Sequence, residues 1–191
     1  EDGVVFRFSN DHFLLTSAEP NLAWFSDRIG RQRVLIEDVS AQYGSLALQG
    51  PRSRGILAVL DDSVGGLGFF HHGPAKIGGA AVNVSRTGYT GDLGYEVWVE
   101  ADDANSVFDA IVDASAGQGV IPVGMSALLM LRIEAGLVLI DVDFHSSRFA
   151  YTAEQRTTFG ALPFLAQRRS TFLPCVGNDH PYTLDQHAPD G

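Results

Sequence analysis

The chain has 191 residues, a formal net charge of -10, 45% hydrophobic and 19% charged residues. That length suffices for one large or two small domains with a buried core, and no apolar run approaches the roughly 20 residues of a membrane span. Thirteen Lys and Arg against 23 Asp and Glu argue against nucleic-acid binding, which needs a clustered basic footprint. A single cysteine, Cys175, can form neither an internal disulfide nor a zinc cage, so a reducing cytoplasm is expected. The histidines His12, His71, His72, His145, His180 and His187 show no spacing that joins them to a cysteine or a carboxylate helix. Surface or loop roles are expected for them rather than metal binding.

Val4 to Phe8 and His12 to Thr16 flank Ser9, Asn10 and Asp11 and read as a short hairpin. A domain seldom opens so close to a strand, so Glu1 is expected to follow further sequence. Leu22, Phe25 and Ile29 recur at helical spacing within Pro20 to Ile29, and Gly30 is a natural stop. Val34 to Val39 and Ser45 to Gln49 read as strands. Ile56, Leu57 and Leu60 mark a second helix, with Pro51 in its first turn, where the missing N–H costs nothing. Gly65 to Gly79 is broken by glycines into loop and short strands that lead into a strand at Ala81 to Val84.

The stretch Ser85 to Val99, SRTGYTGDLGYEVWV, carries the strongest local signal. Gly88, Gly91 and Gly94 surround Tyr89 and Thr90, and glycine at such spacing permits positive φ and the close approach of a flat ligand. Tyr95, Val97 and Val99 then alternate with Glu96, Trp98 and Glu100, which predicts a strand with one face on a core and Glu96 on the other. Turn chemistry alone reads more readily as a glycine-rich hairpin whose carboxylate is solvated. Farther on, Ala101 to Ala114 places Val107, Phe108, Ile111 and Val112 on one helical stripe, with Asp102 and Asp103 favouring its N-terminal dipole. Gly117 and Gly119 end it, and Ser126 to Ala135 is a fourth, mostly apolar helix. The order of elements predicts an α+β fold of antiparallel sheets with helices packed on one face. Residues 158–191 hold no sustained period and are expected to be an irregular tail.

Three blocks, SRTGYTGDLGYEVWV, LALQGPRSRGIL at Leu46 to Leu57 and LRIEAGLVLIDVDF at Leu131 to Phe144, together resemble the signature blocks of the glycine cleavage T protein family. That family comprises the tetrahydrofolate-dependent aminomethyltransferases, with related folate domains in dimethylglycine- and sarcosine-oxidising enzymes and some demethylases. The resemblance covers residues 1–157, which it implies to be a folate-binding region incomplete at its N-terminus. It implies a tetrahydrofolate cofactor, a one-carbon transfer, a small amine or methyl donor and, in the glycine-cleaving branch, a lipoyl carrier protein as partner.

The family's pterin-binding tyrosine and glutamate match Tyr89 and Glu96. A pterin presents an N3–H beside a 2-amino group, and one carboxylate accepts both in a bidentate, charge-strengthened pair. Arg132 matches an arginine near the folate; an ion pair with Glu134 or another carboxylate is an equal alternative. The catalytic aspartate, which would move a proton as the amine leaves, matches Asp2, although an exposed terminal charge is an equal reading of that residue.

Two departures stand out. T proteins carry Arg-Asp shortly before the Leu-Arg block, whereas this chain has Leu128 and Leu129, which leans away from the lipoyl-carrier reaction. After Thr158 the family continues Pro-Phe-Glu-Leu-Gly, but Phe159, Gly160 and Ala161 stand here, as a frame-shifted translation would give. The leading expectation is a one-carbon transferase. The alternatives are a folate-binding module without transfer activity or an inert fragment of such an enzyme. Folate-fold relatives in iron–sulfur protein maturation carry a cysteine in a Lys-Gly-Cys block that has no counterpart here, which favours the enzyme branch.

Overall fold

A computed structural model of the chain describes residues 3–18, 20–139 and 142–143. Asp2 and the 158–191 tail lie outside the described residues. The chain divides into two compact units, one containing residues up to Ala41 and from Val138, the other built on Gln42–Leu137.

In the first unit, strands β1 (Val5–Arg7) and β2 (Phe13–Leu15) pair antiparallel with Val5 opposite Leu15 and Arg7 opposite Phe13. The turn between them closes through the Phe8 N–H, which donates to the His12 carbonyl at 3.0 Å. Helix α1 (Leu22–Ile29) ends at Gly30, whose φ of 58° suits a residue without Cβ. The strand expected at Val34 to Val39 does not form. Those residues are irregular, with Val34 and Leu35 58% and 81% exposed. Apolar β-branched residues mark a strand only where a neighbouring strand offers its ladder, and among the described residues none pairs here.

The second unit is a four-stranded antiparallel sheet in the order β3 (Tyr43–Gln49), β6 (Gly94–Glu100), β5 (Ala80–Ser85), β4 (His72–Ile77). Helices α2 (Ser53–Leu60) and α3 (Ala104–Ala114) pack on each other and on the same sheet face. This is the expected α+β arrangement of an antiparallel sheet with helices on one face. Ile56 and Leu57 of α2 and Val107 and Ile111 of α3 bury against Val82, Val84, Tyr95, Val97 and Val99. Fully burying each such side chain stabilises by about 1.5–3 kcal/mol.

Two details differ from the sequence expectation. Helix α2 begins at Ser53, two residues after Pro51, because Gly50 (φ 108°) and the turn that follows redirect the chain first. On α3 the apolar stripe is only half used: Phe108 and Val112 are 49% and 50% exposed, while Val107 is fully buried. Val107 and Ile111, four residues apart, face the core with Ala104, Ala110 and Ala114 packed beside them, and Phe108 and Val112 lie outside that contact. Helix α4 (Met125–Glu134) follows as expected, reached through Gly117 and Gly119, both at positive φ.

Candidate functional site

The pairing register decides which side chains share the sheet face opposite α2 and α3. Ala47 lies opposite Glu96, Glu96 opposite Ser85, and Ser85 opposite His72, so one row crosses all four strands. A second row holds Ser45, Trp98, Asn83 and Pro74. Because the side-chain period of a strand is two, every residue in these rows points away from the core under α2 and α3.

Glu96 is half-buried at the centre of the first row. Its Oε2 accepts a hydrogen bond from the Thr87 hydroxyl at 2.5 Å, within the range of a hydroxyl on an ionised carboxylate. Thr87 in turn lies 2.7 Å, oxygen to oxygen, from Ser85 Oγ. Both hydroxyl residues are buried, Ser85 completely. On the same face, His72 Nδ1 is 3.0 Å from Asn83 Oδ1. The Asn83 Nδ2 atom is buried with no hydrogen-bond partner among the described residues.

Between β5 and β6 the glycine loop carries Tyr89, half-buried, and turns at Gly91 with φ 77°. Its shape depends on Gln49, the last residue of β3. The Gln49 amide donates to the Tyr95 carbonyl at 3.2 Å and to the Thr87 carbonyl at 3.4 Å, while its Oε1 accepts from Thr90 Oγ1 at 3.2 Å. A Cβ at either Gly88 or Gly94 would overlap this amide. The backbone of the next residue completes the joint, since the Gly50 N–H donates to the Leu93 carbonyl at 2.7 Å. Two of the sequence blocks, Leu46 to Leu57 and Ser85 to Val99, thus form one interlocked corner.

Arg132 sits on α4, 3% exposed, and its Nη1 donates to the Leu137 carbonyl at 3.1 Å. One bond holding this guanidinium is therefore local, within five residues. Of the sequence-selected residues, Tyr89 and Glu96 share one loop and the strand it feeds, Arg132 belongs to a different element, and Asp2 lies outside the described residues. Gln49, Ser85 and Thr87 were not singled out from the sequence. The only local signals were a glutamine ending a strand before Gly-Pro and hydroxyl residues bordering the glycines. Among the described residues no group of three or more His, Cys, Asp or Glu could hold a metal ion, and no helix is long and apolar enough to cross a membrane.

An antiparallel sheet covered by α2 and α3 on one face, with a half-buried carboxylate on the other, defines an α+β domain. Residues 1–160 match the family model described as the GCVT N-terminal domain, and the chain belongs to that family. It is 38% identical over 156 residues to a trimethylamine-oxide aldolase from Ruegeria pomeroyi, covering 75% of this chain and 20% of that protein. An aminomethyltransferase from Caldanaerobacter subterraneus subsp. tengcongensis is 36% identical over 145 residues, covering 73% of this chain and 39% of the relative. The chain therefore spans well under half the length of these curated relatives. Its fold is similar to that of a heterotetrameric sarcosine oxidase from Corynebacterium sp. U-96 solved with pyrrole 2-carboxylate, at a TM-score of 0.50 and 19% identity over 64% of each chain.

Proposed function

We propose that the chain is the folate-binding part of a tetrahydrofolate-dependent one-carbon transferase that takes an aminomethyl or methyl group from a small amine donor. The observation that carries this reading is the Glu96 carboxylate, half-buried on the sheet face opposite α2 and α3 and held through one oxygen by Thr87. Oε1 and the remaining lone pair of Oε2 are left to accept two parallel donors, which is the pattern of a pterin edge. Family membership and the similarity to an aminomethyltransferase and a trimethylamine-oxide aldolase support the same reading.

Tetrahydrofolate, when bound, supplies the nitrogen that takes up the one-carbon unit. In this reading Glu96 would accept from the pterin and Tyr89 on the glycine loop would cover its ring, while Arg132, which matches a family position near the folate, is buried on α4. Asp2 would take up or deliver the proton as the donor amine is released, the work of a positioned general acid or base. Leu128 and Leu129 stand where the glycine-cleaving branch has Arg-Asp, so the donor is assigned to a small methylated amine in preference to a lipoyl carrier protein. A reducing cytoplasm is the proposed setting, consistent with the lone Cys175.

Calorimetric titration of the chain with tetrahydrofolate tests this. The expected result is saturable binding by the parent, with Glu96→Gln weakened roughly tenfold to a hundredfold, since a charged hydrogen bond is worth about 1.5–3 kcal/mol and the amide accepts at only one oxygen. Equal affinity in both proteins removes Glu96 from the site. Tight binding without turnover in a chain of the relatives' full length would favour the non-catalytic binding module.

A further inference from the structure

We infer that Thr87, backed by Ser85, is a positioning residue that sets ligand selectivity by fixing the plane of the Glu96 carboxylate. This rests on the folate reading of the site and adds to it a cause for selectivity. An ionised carboxylate only accepts hydrogen bonds, so the single Thr87 hydroxyl proton points to Glu96 Oε2 across 2.5 Å. Thr87 Oγ1 is then left as an acceptor, and Ser85, 2.7 Å away, must be its donor. The charge of Glu96 thereby orders a directional chain from Ser85 through Thr87 to the carboxylate.

Ser85 and Thr87 are respectively 0% and 5% exposed, so water competes little for either bond, and bonds in such a chain polarise one another. Thr87 is further held in place by its own backbone, since its carbonyl accepts from the Gln49 amide at 3.4 Å. A carboxylate on a glutamate has three side-chain torsions to lose. Anchoring one oxygen removes most of that freedom before a ligand arrives, which lowers the ordering cost of binding. It also restricts the free edge of the carboxylate to one direction. A ligand with two adjacent N–H donors in one plane, as in a cyclic guanidine, meets that edge at both points; a ligand with one donor does not.

The test compares tetrahydrofolate with its 2-desamino-2-methyl analogue, which keeps N3–H but lacks the exocyclic donor, on the parent chain and on Thr87→Val, Thr87→Ser and Ser85→Ala. The parent is expected to prefer tetrahydrofolate. Thr87→Val, equal in shape but without the hydroxyl, should narrow that preference about tenfold, the weight of one hydrogen bond to a charged group. Thr87→Ser should restore it to within about threefold, and Ser85→Ala should narrow it by about threefold, because the second hydroxyl acts only through the first. In a Glu96→Gln background Thr87→Val should have no further effect on the ratio. A loss that weakens both ligands alike would show a merely structural role and overturn the inference, as would an unchanged preference in folded Thr87→Val. If Thr87→Val does not fold, Ser85→Ala and Thr87→Ser decide by the same ratio. Absence of tetrahydrofolate binding by the parent chain would instead overturn the folate reading and this inference together.

Discussion

The side-chain amide of Gln49 occupies the space that a Cβ at Gly94 would need. The two residues face each other across the β3–β6 ladder, as the last residue of one strand and the first of the other. The amide also bonds the Thr87 and Tyr95 carbonyls and accepts from Thr90. It is therefore the peg around which the glycine loop closes, and a Cβ at Gly88 or Gly94 would have to displace it. Neither has the positive φ that Gly91 requires.

Gly94→Ala should accordingly destabilise the second unit by about 1–3 kcal/mol through overpacking. In combination with Gln49→Ala, which empties the contested space, the loss should be smaller than the sum of the two single losses, as expected for residues in direct contact. Urea unfolding of the four proteins measures the coupling. Additive losses would mean that the amide moves aside freely and does not shape the loop.

The core beneath α3 and the exposed side of α3 should respond differently to substitution. Ile56 of α2 packs with Val107 and is fully buried, so Ile56→Ala should cost about 2–5 kcal/mol. Phe108, beside Val107 in sequence but 49% exposed, should tolerate Phe108→Ser with a change of less than about 1 kcal/mol. Thermal or urea melts give both values. A large loss at Phe108 would mean that it packs against something in the native protein.

Acid sensitivity has a named contributor in Asp61. Its carboxylate accepts from Ser63 Oγ at 2.6 Å, from the Lys76 N–H at 2.8 Å and from the Ser63 N–H at 3.0 Å, tying the turn after α2 to strand β4. The Ser63 hydroxyl first, then the two backbone N–H groups, hold its pKa below the ordinary carboxylate value. A lowered folded-state pKa means that the ionised form is favoured on folding. Its stabilisation is present at neutral pH and is lost as pH falls below about 4 through the folded value. Asp61→Asn should thus be less stable than the parent at pH 7, with the difference closing in strong acid. Parallel urea midpoints from pH 7 to pH 2 check this, and a gap independent of pH would exclude the ionised carboxylate as its cause.

Asp2→Asn separates chemistry from binding. The amide keeps one acceptor oxygen but cannot take up a proton at neutral pH. In a chain of the relatives' full length, single-turnover transfer from candidate methylamine donors should fall about a hundredfold to ten-thousandfold, with tetrahydrofolate affinity little changed. Turnover at the parent rate, or loss of folate binding, would remove Asp2 from the proton-transfer role.

Much of the fold was readable from local pattern because local physics determines it. Alternation of Tyr95, Val97 and Val99 with Glu96 and Trp98 states both a strand and the face it buries, and the β6 burial pattern follows that alternation. Glycines at 30, 117 and 119 end or redirect helices at positive φ, a conformation fixed by the residue itself. The three ordered blocks were enough for the family, and Glu96 and Tyr89 follow from them as a proposed binding pair.

Tertiary structure decided what depends on partners far apart in the chain. Val34 to Val39 has strand composition but no ladder to join, and only the arrangement of other strands could reveal that. Which half of the Val107, Phe108, Ile111, Val112 stripe is buried depends on the side from which α2 and the sheet meet the helix. The roles of Gln49, Ser85 and Thr87 rest on the β3–β6 and β5–β6 registers, which bring Gln49 to Gly94 across 45 residues of sequence and Ser85 to Glu96 across 11. A side chain's chemistry is written in its residue type, but the atom it bonds is set by strand register, and register is a property of the assembled sheet.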